Sequence, residues 1–417
     1  MTPSIFATLF LLFLTLSTAL RVWLGMRQIN HISAHRSAVP AEFASKIRLE
    51  EHQKAADYSI ARSRLGLNSI IAETALLLGL TLGGGLHLLY NFWAQFFDNG
   101  GYAHSLALFA SLAVVSFLVE LPFSLYRTFR IEAHFGFNKL TPRLWLIDLV
   151  KSTTLGAFIG APLILAVLWL MGEMGAQWWL YVWVFWMGFN LLVLLLYPTV
   201  IAPLFNKFSP LDDSSLKQRI EALLARCGFT SSGLFVMDGS KRSSHGNAYF
   251  TGFGAAKRIV FFDTLLTRLD PPEVEAVLAH ELGHYKHGHI KKRIALLAIL
   301  SLGFLWLLGQ LIDSEWFYAG LGVPYQGTAL ALILFSLVLP VFTFPLAPLS
   351  SALSRKHEYE ADAYAASQTQ ANDLVTALVK LYRDNAATLT PDPLHSLFYD
   401  SHPPAALRIA HLQGKAA

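Results

Sequence analysis

The sequence predicts a mainly α chain that crosses a membrane seven times and carries a smaller α+β domain outside the bilayer. Three observations predict it. Hydrophobic residues fill 54% of the 417 positions and charged residues only 14%; that balance is too apolar for a protein of this size in water, so the excess faces lipid. Seven apolar runs reach about 20 residues, the length that crosses a hydrocarbon core; they span 4–24, 67–91, 104–126, 146–172, 177–203, 293–312 and 327–349. The loops between them alternate between basic and free of Lys and Arg, the pattern expected when positive charge collects on the cytoplasmic side.

Taken in order, the first run has no positive residue before it, and Arg21, Arg27, Arg36, Lys46, Arg48, Lys54, Arg62 and Arg64 follow it. That order suits an uncleaved anchor with its N-terminus outside rather than a removed signal peptide. The second loop, NFWAQFFDNGGYAHS, has no Lys or Arg; the third has Arg127, Arg130, Lys139 and Arg143; the fourth, GEMGAQ, has none. The stretch from Lys207 to Lys291, Lys292 and Arg293 is basic, DSEWFYAGLGVPYQG is not, and Arg355 and Lys356 follow the last span as expected inner-leaflet anchors. The predicted divisions are residues 1–205 (five spans), 206–290 (a cytoplasmic insert), 291–349 (two spans) and 350–417 (a C-terminal cytoplasmic segment). A formal net charge of +4, mostly in these loops, matches anionic lipid headgroups and argues against a nucleic-acid partner. The single cysteine, Cys227, excludes an internal disulfide and a cysteine-based metal site.

Within the insert, Ser214 and Ser215 read as a cap for the helix LKQRIEALLARCGF, with Ile220, Leu223 and Leu224 at helical spacing and Gly228 as its stop. Strand-like pieces follow at LFVMDG, NAYFTGF and RIVFFDTLL, broken by Gly239, Gly246 and Gly254. Pro271 and Pro272 open the next helix, where a missing N–H costs little. That helix carries His280, Glu281, Leu282, Gly283 and His284.

Two histidines four apart on a helix share a face, so both rings can bind one Zn²⁺, and the glutamate beside them can act on water at the metal. A third ligand is required. The three-histidine version of the motif needs Gly at 287 and His at 290, where this chain has His287 and Ile290. Downstream, Glu358 and Asp362 fall four apart in HEYEADAYA, one face of a further helix, and supply a candidate ligand and a candidate orienter. Glu358 is therefore the expected third ligand of a single catalytic zinc, in a gluzincin-like arrangement. His287 and His289, three and five residues past His284, miss the ligand face and read as solvated or adventitious binders. His357 should point away from the site, and His245 reads as a turn residue or a neighbour of the substrate groove.

Several blocks together resemble the integral-membrane CAAX prenyl endopeptidases, the zinc proteases of the a-factor-converting type. They are FASKIRLEEHQKAADYSIARSRLG, LPFSLYRTFRIEAHFGFNK, HGNAYFTGF, KRIVFFDTLL, HELGHYKHGH, SRKHEYEADAYA and SHPPAALR, and they cover nearly the whole chain. The resemblance implies a barrel of seven membrane helices around a water-filled chamber, with zinc at its cytoplasmic end. It implies that His280, His284 and Glu358 bind zinc, that Glu281 is the general base and acid, and that Asp362 holds His280. It also implies that His402 and Arg408 reach in from the tail to stabilise the oxyanion and support the ligands. Glu73, His87, Glu120 and Asn190, inside or bordering spans, fit the chamber lining or equally well hydrogen bonds between helices. NAYFTGF is the expected edge strand for an extended substrate, with Asn247, Ala248 and Tyr249 in contact with it.

The expected activity is endopeptidase cleavage near the C-terminus of prenylated or otherwise apolar peptides, with peptide and bilayer as partners. Two alternatives compete with it. A quality-control protease would use the same site with looser selection, and a transporter or scaffold would use the zinc structurally. A structural zinc normally has four protein ligands and no adjacent base, which disfavours the latter. An Arg/Ala/Leu-rich composition with tight loops points to a bacterial inner membrane, with the endoplasmic reticulum as the eukaryotic equivalent.

Overall fold

The computed structural model describes residues 1–251 and 258–414. Helices α1 (Pro3–His35), α2 (Leu49–Leu80), α3 (Gly85–Trp93), α4 (Tyr102–Tyr126), α5 (Pro142–Glu173) and α6 (Trp178–Leu196) form the first membrane section. Starts follow the local chemistry. The hydroxyls of Thr2 and Thr141 accept from the amides of Ile5 and Leu144, and Pro3 and Pro142 follow at positions where no N–H is needed. Pro198 interrupts the hydrogen-bond ladder after α6, where a π-turn at Tyr197–Ile201 leads into the one-turn α7 (Ala202–Phe205).

Six helices among the described residues are long and apolar enough to cross a bilayer, and the pair α2 and α3 adds a seventh with a 54° bend. The chain is thus a multi-pass membrane protein, and the expected second span is corrected in shape. It is no single helix over 67–91: α2 begins at Leu49 and stops at Leu80, and Gly83 to Gly85 turn the chain. Gly84 has φ +75°, and a Cβ on Gly83 or Gly85 would meet the Gly79 carbonyl oxygen at 2.9 or 2.7 Å. The spans leave large apolar side chains exposed, Phe158 and Ile299 at 78% and 69% among them, as suits helices surrounded by acyl chains.

The catalytic half begins with β1 (Phe208–Pro210), α8 (Ser214–Arg226), β2 (Leu234–Met237), β3 (Ala248–Thr251), β4 (Arg258–Phe262), α9 (Asp263–Leu266) and α10 (Pro271–Lys286). The strands lie in the order β1-β2-β4-β3, with β2 and β4 parallel and the outer pairs antiparallel. Ala248 faces Phe261 in register, so β3 is the edge of the sheet on the α10 side. β1, three residues with Pro210 at an edge, is an addition to the three expected strands. Gly254 and the end of NAYFTGF lie outside the described residues.

The cap of α8 also differs from expectation. The Asp213 carboxylate, not a serine at 214, accepts from the amides of Ser215 and Leu216 at 2.9 and 3.0 Å. Asp213→Ala is expected to lower stability by about 1 kcal/mol, the usual worth of such a cap, read as a lower melting temperature of the detergent-solubilised protein. Gly228, φ +63°, ends α8 as anticipated, with Phe229 N–H donating to the Leu224 carbonyl.

The chain re-enters the membrane in α11 (His289–Leu311) and α13 (Thr328–Thr343), joined through the short α12 (Glu315–Ala319). It then runs through one 3₁₀ turn, Phe344–Leu346, into α14 (Ala347–Gln368), followed by α15 (Ala371–Asp384), α16 (Pro393–Tyr399) and α17 (Ala405–Leu412). Leu216, Ile220, Leu223, Phe261, Leu278, Leu282, Ala365 and Leu378 form one core that binds α8, the sheet, α10, α14 and α15 together. Polar clamps tie this half to the spans. Arg27 of α1 makes a two-pronged pair with Asp392 at 3.3 and 2.9 Å, and the Gln28 amide oxygen accepts from Asp392 N–H at 2.7 Å. Arg242 makes a similar pair with Asp148 of α5 at 2.8 and 2.9 Å.

Candidate metal centre

α10 is fixed at its start by reciprocal capping. Asp270 N–H donates to Glu273 at 2.8 Å, and Lys380 of α15 reaches both Asp270 and Glu273, at 2.8 and 2.7 Å. One turn from its other end, Gly283 lets the helix lie directly on α14: a Cβ there would stand 2.8 Å from the Ala361 Cα. That contact brings His280 and His284 of one helix onto Glu358 and Asp362 of the other.

Two ring nitrogens and one carboxylate converge. His280 Nε2 and His284 Nε2 are 3.2 Å apart; His280 Nε2 is 3.4 Å from Glu358 Oε2, and His284 Nε2 is 3.3 Å from Glu358 Oε1. Zinc bonds of 2.0–2.1 Å at tetrahedral angles separate neighbouring ligand atoms by about 3.3 Å, the spacing seen here. Glu358 is 2% accessible, and its Oε2 accepts no hydrogen bond although it is buried, the mark of a carboxylate shaped for a cation. His280 tells the same story. Burial alone would favour its neutral ring, but the Asp362 and Glu358 carboxylates make positive charge favourable at that place. The donor set therefore fits a divalent ion of zinc's preferences.

The surroundings are ordered around these ligands. Asp362 Oδ1 lies 2.8 Å from His280 Nδ1, so that nitrogen carries the hydrogen and Nε2 offers its lone pair to the centre. Arg408, buried in α17, donates to both Asp362 oxygens at 2.8 and 2.6 Å and stands 3.6 Å from Glu358. His402, in the open loop before α17, points Nε2 at Glu358 Oε1 from 3.4 Å. Burial pushes the Glu281 carboxyl up, with the His280 and His284 rings pulling it back.

Peptidase family M48 matches residues 210–416, and the region described as the CAAX prenyl protease N-terminal, five membrane helices, matches residues 28–207. A rice protein named CAAX prenyl protease 1 homolog is 34% identical over 415 residues, which cover 97% of this chain and 96% of that protein. The chain belongs to peptidase family M48. An Arabidopsis thaliana CAAX prenyl protease 1 homolog is 39% identical over 319 residues, 75% of this chain and 74% of that one. The crystal structure of S. mikatae Ste24p superimposes with a TM-score of 0.90 at 33% identity, covering 98% of this chain and 99% of that one. The expected fold class, a polytopic membrane chamber with a zinc metalloprotease domain, is borne out.

Other expected positions in this M48 peptidase divide. A cavity of about 610 Å³ between the spans is lined by Glu73 and Glu120, with Thr18, Arg21 and Ser69. Its lining excludes the other two candidates. His87 hydrogen-bonds Asn91 and stacks on Tyr325, while Asn190 donates to the Trp186 carbonyl of its own helix. Tyr399 lines both this cavity and a second one of about 270 Å³ that reaches His402. Asn247 precedes β3 and accepts from the Ala248 amide at 2.8 Å; Ala248 packs inward, and Tyr249 sets its ring near Phe262. His245 stacks on Phe137 and meets Asn385 and Glu132, a turn histidine joining three segments.

Two readings are corrected and a third is extended. His289 is not solvated: its ring is 1% accessible and lies 2.8 Å from His284. His357 does point away from Glu358's partners, yet it is buried against His289 with ring centroids 3.9 Å apart. Arg355 is no lipid anchor. It donates to the carbonyls of Ser396, Leu397 and Asp400, closing the end of α16 and holding the loop that presents His402. Arg355 was misread because backbone carbonyls leave no trace in side-chain spacing.

Proposed function

We propose that this chain is a membrane endopeptidase that uses one zinc, held by His280, His284 and Glu358, to cut peptide bonds near the C-terminus of CAAX-type, prenylated or otherwise apolar substrates. The observation that carries it is the convergence of the two ring nitrogens, 3.2 Å apart, on the Glu358 carboxylate at 3.3–3.4 Å, with Glu281 on the same helix as the histidines. Zinc bound there supplies a Lewis acid for the scissile carbonyl. Glu281, whose carboxyl burial holds above its ordinary range, takes the proton of the attacking water and delivers it to the leaving amine. His402 at the open rim donates to the developing oxyanion. Arg408 is committed to Asp362 and Glu358, so it acts through the ligands by keeping both carboxylates in position. The substrate extends along the free edge of β3, with Asn247, Ala248 and Tyr249 alongside, and adds a strand to the sheet.

The CAAX assignment rests on the relatives, whose names carry that substrate, and on the cavity between the spans. The charge alternation supports an N-terminus outside and an active site on the cytoplasmic face; the Arg/Ala/Leu-rich composition supports a bacterial inner membrane, with the endoplasmic reticulum as the eukaryotic equivalent. The test compares paired CAAX peptides with and without a prenyl group, cut by purified protein in detergent. Preferred cleavage of the prenylated peptide is expected. Equal cleavage would move the reading to a quality-control protease, and cleavage of neither would remove the CAAX assignment.

A further inference from the structure

We propose that His289 and Glu360 form a relay that sets the tautomer of the zinc ligand His284, and so act as positioning residues for the metal; this rests on the ligand reading above. To bind a cation through Nε2, His284 must carry its hydrogen on Nδ1 and needs an acceptor there. That acceptor is His289 Nδ1, 2.8 Å away. The polarity of the contact is set from further out. His289 Nε2 lies 2.8 Å from Glu360 Oε2, and a carboxylate only accepts, so the hydrogen sits on Nε2. A neutral His289 then has its lone pair on Nδ1, which accepts from His284 and leaves His284 Nε2 free for the centre.

Helix geometry explains why two residues are needed. α14 presents carboxylates at 358, 360 and 362. Glu358 and Asp362 share a face, but Glu360 stands about 200° around the helix from Glu358 and cannot reach α10 directly. The chain closes the gap by breaking α10 at Gly288, φ +66°, so that His289 opens α11 facing back toward His284. The His357 ring, stacked at 3.9 Å, walls His289 in from the other side.

His289, His357 and Glu360 also bring ligand atoms within 4.8 Å of one another, as a second metal site would. The tautomer chain argues against one. A cation on His289 Nε2 would move that ring's hydrogen to Nδ1, turn the His284 contact around and remove its Nε2 lone pair from the first centre. One zinc per chain follows.

The experiment uses the full chain in detergent, measuring zinc per chain and the rate at which zinc passes to a chelator. Wild type is expected to hold one zinc. His289→Leu should lose it at least about tenfold faster, the usual scale for removing a metal ligand's partner. His289→Asn, whose Oδ1 occupies the Nδ1 position and accepts the same hydrogen, should restore most of the retention. Glu360→Ala, at a partly exposed site, removes the acceptor altogether, should lose zinc several-fold faster and covers the case in which His289→Leu does not fold. Retention unchanged in His289→Leu or in Glu360→Ala overturns the relay, as does loss from His289→Asn as fast as from His289→Leu, or two zincs in wild type. Wild type without zinc would instead overturn the metal reading on which the relay rests.

Discussion

Glu281→Gln is expected to abolish peptide cleavage while leaving zinc content and melting temperature at wild-type values. The substitution keeps the size and the hydrogen-bonding oxygen of the side chain but removes its ability to take a proton. Positioned acid–base groups contribute roughly 10²–10⁴-fold. Here one carboxyl serves both the attack and the departure of the amine, so a loss on the order of 10³-fold or more, about 4 kcal/mol of barrier, is expected. Zinc should remain because Glu281 is outside the trio that converges on the centre. Cleavage of a prenylated CAAX peptide together with metal analysis separates the outcomes. Wild-type rates in the variant would remove the proposed mechanism, and loss of zinc together with cleavage would make Glu281 part of the metal-holding structure.

Gly283→Ala carries the second large effect, and its sign is decided by packing. Within an isolated helix, alanine is better than glycine by about 1 kcal/mol. In this fold the added methyl would meet the Ala361 Cα at 2.8 Å, the Ala361 carbonyl oxygen at 3.0 Å and the Tyr364 Cβ at 3.1 Å. Two of these are backbone atoms that cannot swing aside, and comfortable carbon contacts begin near 3.5 Å. α10 must therefore retreat from α14 by about 0.7 Å, taking His280 and His284 away from Glu358. Overpacking of this kind costs about 1–3 kcal/mol, which exceeds the propensity gain, and a displacement of about 1 Å at the reacting groups can cost 10²-fold in rate. A lower melting temperature with weaker zinc retention is expected; a more stable variant that keeps its zinc would show that the two helices do not need this contact.

Much of this was legible in the sequence, and the reasons for the rest are physical. Apolar runs and loop charge marked the spans because lipid imposes both, and HELGH with EYEAD marked the side chains that converge because four-residue spacing on a helix is itself the geometry. Other features depended on breaks in regularity. His289 was misread because an offset of five was projected along one continuous helix, whereas the chain turns at Gly288 and faces the ring back. The bend in the second span lay in TLGGG, but length and hydropathy alone do not distinguish a straight crossing from a folded one. Gly283 looked like a motif letter; its partner Ala361 is 78 residues away and unreadable without the packing. β1 is three residues whose only signal is its neighbour.

Glu358 sits eleven residues into α14, roughly 16 Å along the axis by the rise of an α-helix, and α14 continues from α13 through the single 3₁₀ turn at Phe344–Leu346. Glu358 is therefore mounted on one end of a rod whose other half is a membrane span, while His280 and His284 belong to a helix packed on that same end. Leu278 and Leu282 of one helix share a single core with Ala365 of the other, so the two helices form one block. A push on α13 is carried to all three side chains together, and the site rides on the rod instead of shearing across it.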